Sequence, residues 1–259
     1  MQRSAVRPSP VFLGILAVAV VGGVLAAFGD QATLSARNQD PLIVAGVVLL
    51  VIGGWVASLS LHEFGHAMVA YRGGDFSVAH KGYLTMDVRK YTDPVFSIVL
   101  PLVFLLIGGI PLPGGAVWIN RGALRSRSVS SWVSLAGPLS NLGVGIVIAL
   151  VVSLIRMPDA LVYGLSYLAF LQVLTFLINI LPVPGLDGWG AIEPYLSPQA
   201  RDFGARARPW APLILFAVLF AFRPANALLQ DIADTIFDAI GGYQAGAANG
   251  NYVFMFWRH

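Results

Sequence analysis

Four long apolar runs, at 11–28, 42–61, 131–155 and 161–182, dominate the alternation of hydrophobic and polar positions along the chain. Each is long enough, at about 1.5 Å per helical residue, to cross or nearly cross a hydrocarbon core of about 30 Å. Two weaker runs lie near 95–110 and 210–222. The pattern predicts an α-helical polytopic membrane protein with about five to six transmembrane helices. The run from Val95 to Ile110 contains Pro101, Gly108 and Gly109, and Pro111, Pro113, Gly114 and Gly115 follow it. Such a sequence suits a re-entrant element over 94–120 better than one clean span. From His80 to Lys90 β-prone residues alternate with polar ones, which predicts a small edge strand. Near the C-terminus, Leu228, Leu229, Ile232, Ile236 and Ile240 recur at helical spacing with Asp231, Asp234 and Asp238 between them. That pattern predicts an amphipathic surface helix, followed by a Gly/Ala/Asn-rich tail ending in Phe254, Phe256 and Trp257.

Composition changes this picture little, but it narrows the chemistry. The chain is 57% hydrophobic and 11% charged, so lipid is the natural solvent for most of it. It has no cysteine, which excludes disulfides and thiolate metal sites; any metal must be held by His, Asp or Glu. The net charge of +3 marks membrane sidedness in such a chain and does not imply nucleic acid. With a cytoplasmic N-terminus, and with 94–120 starting and ending inside, only Arg37, Arg156, Arg223 and Arg258 of the sixteen Lys and Arg fall outside. That bias orients the chain in the cell membrane. The first run follows Arg3 and Arg7 but lacks a clear small-residue cleavage site before Asp30, and is expected to be a retained helix. No internal repeat appears, and no polar stretch has room for a PDZ or CBS module of about 80 to 100 residues. The expected organisation is an N-terminal helix and loop over 1–40, a membrane core over 41–195, and a further span, amphipathic helix and tail over 196–259.

The second long run ends in His62-Glu63-Phe64-Gly65-His66. On a helix, residues four apart share a face, so two imidazoles converge on one ion while Glu63 sits beside them as a base. Burying these groups in a membrane costs several kcal/mol and normally signals function; a solvated helix end at the interface is the alternative. A catalytic zinc takes a third protein ligand and leaves one position open. The other histidines, His80 and His259, lie in a polar stretch and at the terminus, so Glu193 or an aspartate remains. Asp187 stands in Asn179-Ile-Leu-Pro-Val-Pro-Gly-Leu-Asp187-Gly188. Pro182, Pro184 and Gly185 would break a helix there and let the carboxylate turn inward. An ordinary Asp-Gly turn explains the same residues.

The pairing of His62-Glu63-Phe64-Gly65-His66 with Leu186-Asp187-Gly188 resembles the site-2 protease family of intramembrane metallopeptidases. Ala136-Gly137-Pro138-Leu139-Ser140-Asn141, Asn179 before Leu-Pro, and Gly82-Tyr83-Leu84-Thr85-Met86-Asp87 with Asp93-Pro94 match its short bacterial members, in order, over about residues 42–195. Trp189 departs from the usual Gly or Ser, leaving the packing beside the metal open. The resemblance implies one zinc ion per chain held by His62, His66 and Asp187, with Glu63 as general base. It implies Asn179 as a hydrogen-bond donor to substrate, with a helix–helix bond as the alternative. It also implies hydrolysis of a membrane protein within or near its transmembrane helix, such as a membrane-bound anti-sigma factor or transcription-factor precursor. The edge strand would receive the unwound substrate, Asn141 would be structural, and the site would open to the cytoplasm. The competing readings are a membrane zinc peptidase with Glu193 as third ligand, and a metal transporter or catalytically idle membrane scaffold.

Overall fold

The computed structural model describes residues 6–34, 39–91, 103, 105–106 and 117–258. The chain is a helical membrane protein. Helices α1 (Pro10–Phe28) and α2 (Pro41–Gly73) are followed by the short α3 (Ser77–His80), then α4 (Arg127–Leu154) and α5 (Asp159–Asn179). After these come α6 (Asp187–Ile192), α7 (Pro198–Ala207), α8 (Ala211–Ala221), α9 (Arg223–Ala239) and α10 (Gln244–Phe254). By length and apolarity α1, α2, α4 and α5 can each cross a membrane, and α7 with α8, bent by 63°, would make a fifth crossing as one broken span.

Three of the four long helices begin at a side-chain cap, while α5 starts after Pro158 without one. Ser9 Oγ accepts the Phe12 N–H at 3.1 Å and Asp40 Oδ1 accepts the Leu42 N–H at 2.9 Å, each with proline in the next position. Ser126 caps α4 in the same way. Such a cap satisfies a backbone donor that the helix itself cannot. The centre of the bundle is α2 against α5, whose most apolar windows are 56% and 67% buried, while those of α1 and α4 are 28% buried. Trp55, Leu59, Leu171, Leu174 and Ile178 fill this core. The outer helix α1 crosses α2 at Gly22 and Gly46, where a methyl group on either glycine would run into the other helix's backbone. Small residues at that crossing replace hydrophobic driving force with close backbone packing.

Three expectations change. The described residues contain no strand, and His80–Lys90 winds instead through the end of α3 and two 3-10 turns, Tyr83–Thr85 and Val88–Lys90. Gly82 and Met86 take positive φ values of 77° and 55°, and Asp87 Oδ1 accepts the Arg89 N–H at 3.1 Å. Left-handed residues and an aspartate-capped turn curl the chain where a strand would extend. The apolar residues of the segment, Tyr83, Leu84 and Val88, are buried in a cluster with Ala67 and Ala70 of α2. The predicted surface helix forms as α9, but it buries Leu229, Ala233 and Phe237 and leaves Leu228 and Ile232 exposed. The tail folds into α10 against α5, with Gly250 so close to Tyr163 that no side chain would fit. The re-entrant reading of 94–120 falls outside the described residues except at 103, 105–106 and 117–120.

Candidate metal centre

Helix α2 does not stop at its apolar run; it continues through the His-Glu-x-x-His segment to Gly73, so the segment lies well inside the helix. His62, Glu63 and His66 are all buried, and one ligand atom of each lies within 4.8 Å of the others. The Nε2 atoms of His62 and His66 are 3.0 Å apart. Asp187 completes a triangle, with one carboxylate oxygen 3.1 Å from His62 Nε2 and the other 3.4 Å from His66 Nε2. Zinc bonds of about 2.0–2.1 Å in a tetrahedron separate neighbouring donors by about 3.3 Å. The donor set therefore fits a zinc ion, with Glu63 beside it.

The outer nitrogens settle which ring nitrogen is free. His66 Nδ1 is 2.6 Å from the Val133 carbonyl, which can only accept, so in the neutral ring the proton sits on Nδ1 and Nε2 presents its lone pair. His62 Nδ1 donates likewise to Asn141 Oδ1 at 2.5 Å, and Asn141 Nδ2 donates to Gln172 Oε1 at 2.8 Å. Asn141 and Gln172 are almost completely buried. Glycines let these elements meet. A methyl group on Gly65 would strike Ala136 and Ser140 of α4, and one on Gly137 would strike Nε2 of both histidines. Gly188 lies against the Ile180 and Leu181 carbonyls with no room for a Cβ, which seats α6 on the end of α5 and turns Asp187 inward.

A cavity of about 660 Å³ opens from His62, His66 and Asp187 and is also lined by Glu63, Asn179, Val117, Trp118, Ile119, Arg121 and Arg208. The stretch 117–120 has no helical structure, and the Val117 N–H donates to Glu63 Oε2 at 3.2 Å. Asn120 N–H bonds Asp75 Oδ2 at 2.7 Å and the Trp118 carbonyl accepts from Lys81 Nζ at 2.9 Å. These contacts lay the stretch across the cavity.

The structure brings His62, Glu63, His66 and Asp187 together and places Asn179 on the same cavity, with Asn179 Nδ2 donating to the Thr175 carbonyl of its own helix at 3.0 Å. Glu193 faces elsewhere, bonded by Arg121 Nη1 at 2.6 Å and Arg208 Nη2 at 3.5 Å, which removes it as a third ligand. Trp189 points away from the triangle and lies over Gly204 of α7. Asn141, expected to be structural because Gly137-Pro138 precedes it near a helix start, also hydrogen-bonds His62. Gln172 was missed altogether; one amide inside an apolar helix was its only signal.

No protein-family model matches the chain, and no solved structure matches it. It is similar to a Mycobacterium tuberculosis protein named "Putative zinc metalloprotease Rip2", 42% identical over 258 residues that span 99% of this chain and 96% of that protein. The chain belongs to the site-2 protease family. The like-named Mycolicibacterium smegmatis protein is 40% identical over 258 residues, 98% of this chain and 96% of its own. YwhC of Bacillus subtilis, also named for zinc metalloprotease activity, is 32% identical over 180 residues, covering 64% of this chain and 77% of YwhC. The relatives' names include zinc, and His62, Glu63 and His66 form a group in this chain that could hold a metal ion.

Proposed function

We propose that this site-2 protease is an intramembrane zinc endopeptidase, resident in the cell membrane, that hydrolyses peptide bonds in or near transmembrane segments of other membrane proteins. The observation that carries the reading is the triangle of His62, His66 and Asp187 with Glu63 beside it, deep within a helix of membrane length. At about 1.5 Å per residue, His62 lies about 30 Å along α2 from Pro41 and about 15 Å from Arg72, a depth below the basic end that suits a buried scissile bond.

A zinc ion held by His62, His66 and Asp187 would supply Lewis acidity to the attacking water and the scissile carbonyl. Glu63 takes the proton from that water and passes it to the leaving nitrogen. The Asn141 and Val133 contacts keep both imidazoles presenting Nε2. Asn179, on the cavity wall, is placed to hydrogen-bond the substrate backbone. The stretch 117–120 takes the part first assigned to 80–90, because it lines the cavity beside Glu63, where an unwound peptide would lie. The Lys and Arg bias favours a cytoplasmic N-terminus and a site opening to the cytoplasm, and a membrane-anchored anti-sigma factor or transcription-factor precursor fits as substrate class.

The test is Glu63→Gln, co-expressed with a single-span membrane substrate found by comparing membrane-protein fragments between active and variant cells. The variant is expected to retain zinc and lose cleavage. Unchanged cleavage would remove Glu63 as the base, and no fragment differing between the two proteins would remove the protease reading.

A further inference from the structure

A second cavity, of about 530 Å³, lies beside the catalytic one and shares two residues with it. Its charged lining is Arg121, Arg127, Arg201 and Arg208 around the single carboxylate of Glu193. Glu193 is committed to Arg121 at 2.6 Å and, more loosely, to Arg208 at 3.5 Å. Arg127 and Arg201 have no ion pair among the described residues, so the cavity holds a surplus of guanidinium donors. Arg127 opens α4, a helix of membrane-crossing length, which puts the cavity at the level where hydrocarbon gives way to headgroups. The backbone N–H groups of that first turn add partial positive charge. The surrounding elements also expose large aromatic side chains: Trp132 on α4, Tyr195, Phe203 on α7, and Trp210 at the start of α8. Exposed Trp and Tyr in such numbers belong to a membrane–water interface.

We infer that the pocket formed by Arg121, Arg127, Arg201 and Arg208 binds the phosphate headgroup of an anionic phospholipid. Guanidinium forks match a phosphodiester by paired hydrogen bonds, and basic pockets between membrane helices are suited to such headgroups. Leu124 and Pro194, which complete the wall, give the glycerol and upper acyl chain an apolar surface. Because Arg121 and Arg208 line both cavities, the bound headgroup sits one side chain from the catalytic chamber.

The full chain carrying Glu63→Gln, purified in a neutral detergent, separates this inference from the protease reading, since neither Glu63 nor turnover enters the pocket. Dioleoyl phosphatidylglycerol and dioleoyl phosphatidylcholine are titrated against it, and bound lipid is read by native mass spectrometry. The expected result is saturable phosphatidylglycerol binding about tenfold tighter than phosphatidylcholine. Arg127→Gln with Arg201→Gln is expected to abolish that preference, whereas Arg156→Gln with Arg223→Gln leaves it intact. Equal binding of the two lipids, or an unchanged preference in the first double variant, would overturn the inference. Displacement of phosphatidylglycerol by millimolar inorganic phosphate would overturn the lipid as the source of the phosphate. Displacement by an acidic peptide would reassign the arginines to a protein substrate.

Discussion

His62 is held from behind by two amides in series, and that chain decides how well the triangle can close. Asn141→Leu preserves volume but removes the acceptor for His62 Nδ1, and should weaken zinc binding about 10- to 100-fold, the usual cost of losing such a partner. Competition with a chromophoric chelator measures it; Gln172→Leu, one bond further out, should lose less. Asp187→Ala should purify with markedly less zinc by elemental analysis, and normal loading would sink its assignment as third ligand. Gly137→Ala places a methyl group against both Nε2 atoms. It should lower zinc content while leaving the helical circular dichroism spectrum unchanged, because the clash is with the ligands and not with the fold. Asp87 shows a residue acting on its own turn: hydrogen bonds from Arg89 Nε and Nη2 at 3.0 and 2.8 Å hold its carboxyl below the ordinary aspartate range. A lowered folded value means the contribution is present above the unfolded value of about 3.9 and is lost as pH falls through the folded one. Protection of the 83–91 amides, taken relative to intrinsic exchange at each pH, should therefore fall on acidification below about pH 4, and Asp87→Asn should remove that pH step.

Between helices, the decisive contacts are made by residues with little or no side chain. The α1–α2 crossing at Gly22 and Gly46 is backbone on backbone, so Gly46→Val must push the helices apart. Overpacking of this kind costs about 1–3 kcal/mol or more, and the variant should melt earlier in detergent by a thermal-shift assay. The same logic explains Gly65 between the two histidines and Gly188 after Asp187. Each lets one element approach another closely enough to place a ligand. The 80–90 segment shows a different outcome, since its apolar residues Tyr83, Leu84 and Val88 became the buried sides of tight turns. The buried residues fall in adjacent pairs, Tyr83 with Leu84 and Asp87 with Val88, which tight turns with left-handed residues produce and a strand would not.

Across the whole molecule, α2 and α5 form the centre while α6, which bears Asp187, is held from outside by α4 and α7. The Arg121–Glu193–Arg208 contacts join the approach to α4, the turn after α6 and the end of α7. Exposed ion pairs of this kind contribute about 0–1 kcal/mol, so Glu193→Gln should reduce zinc retention far less than Asp187→Ala, by the same elemental measurement. Membership of the site-2 protease family places this arrangement among proteins named as zinc metalloproteases, with a cavity of about 660 Å³ over the triangle.

The chain alone determined the features that depend on near neighbours: the membrane-length helices and the convergence of His62 and His66 with Glu63 between them. A helix repeats every 3.6 residues, so those relations are written into consecutive letters. The four apolar runs that made spans were legible for the same reason. Asp187 could be nominated through family resemblance, yet its distance from the imidazoles could not be read, nor could the parts played by Asn141, Gln172 and Gly137. Those depend on α4, α5 and α6 meeting α2, contacts between positions far apart in sequence that no local period encodes. The arginine pocket is likewise a tertiary product, because its side chains come from three separated stretches that only folding gathers around Glu193.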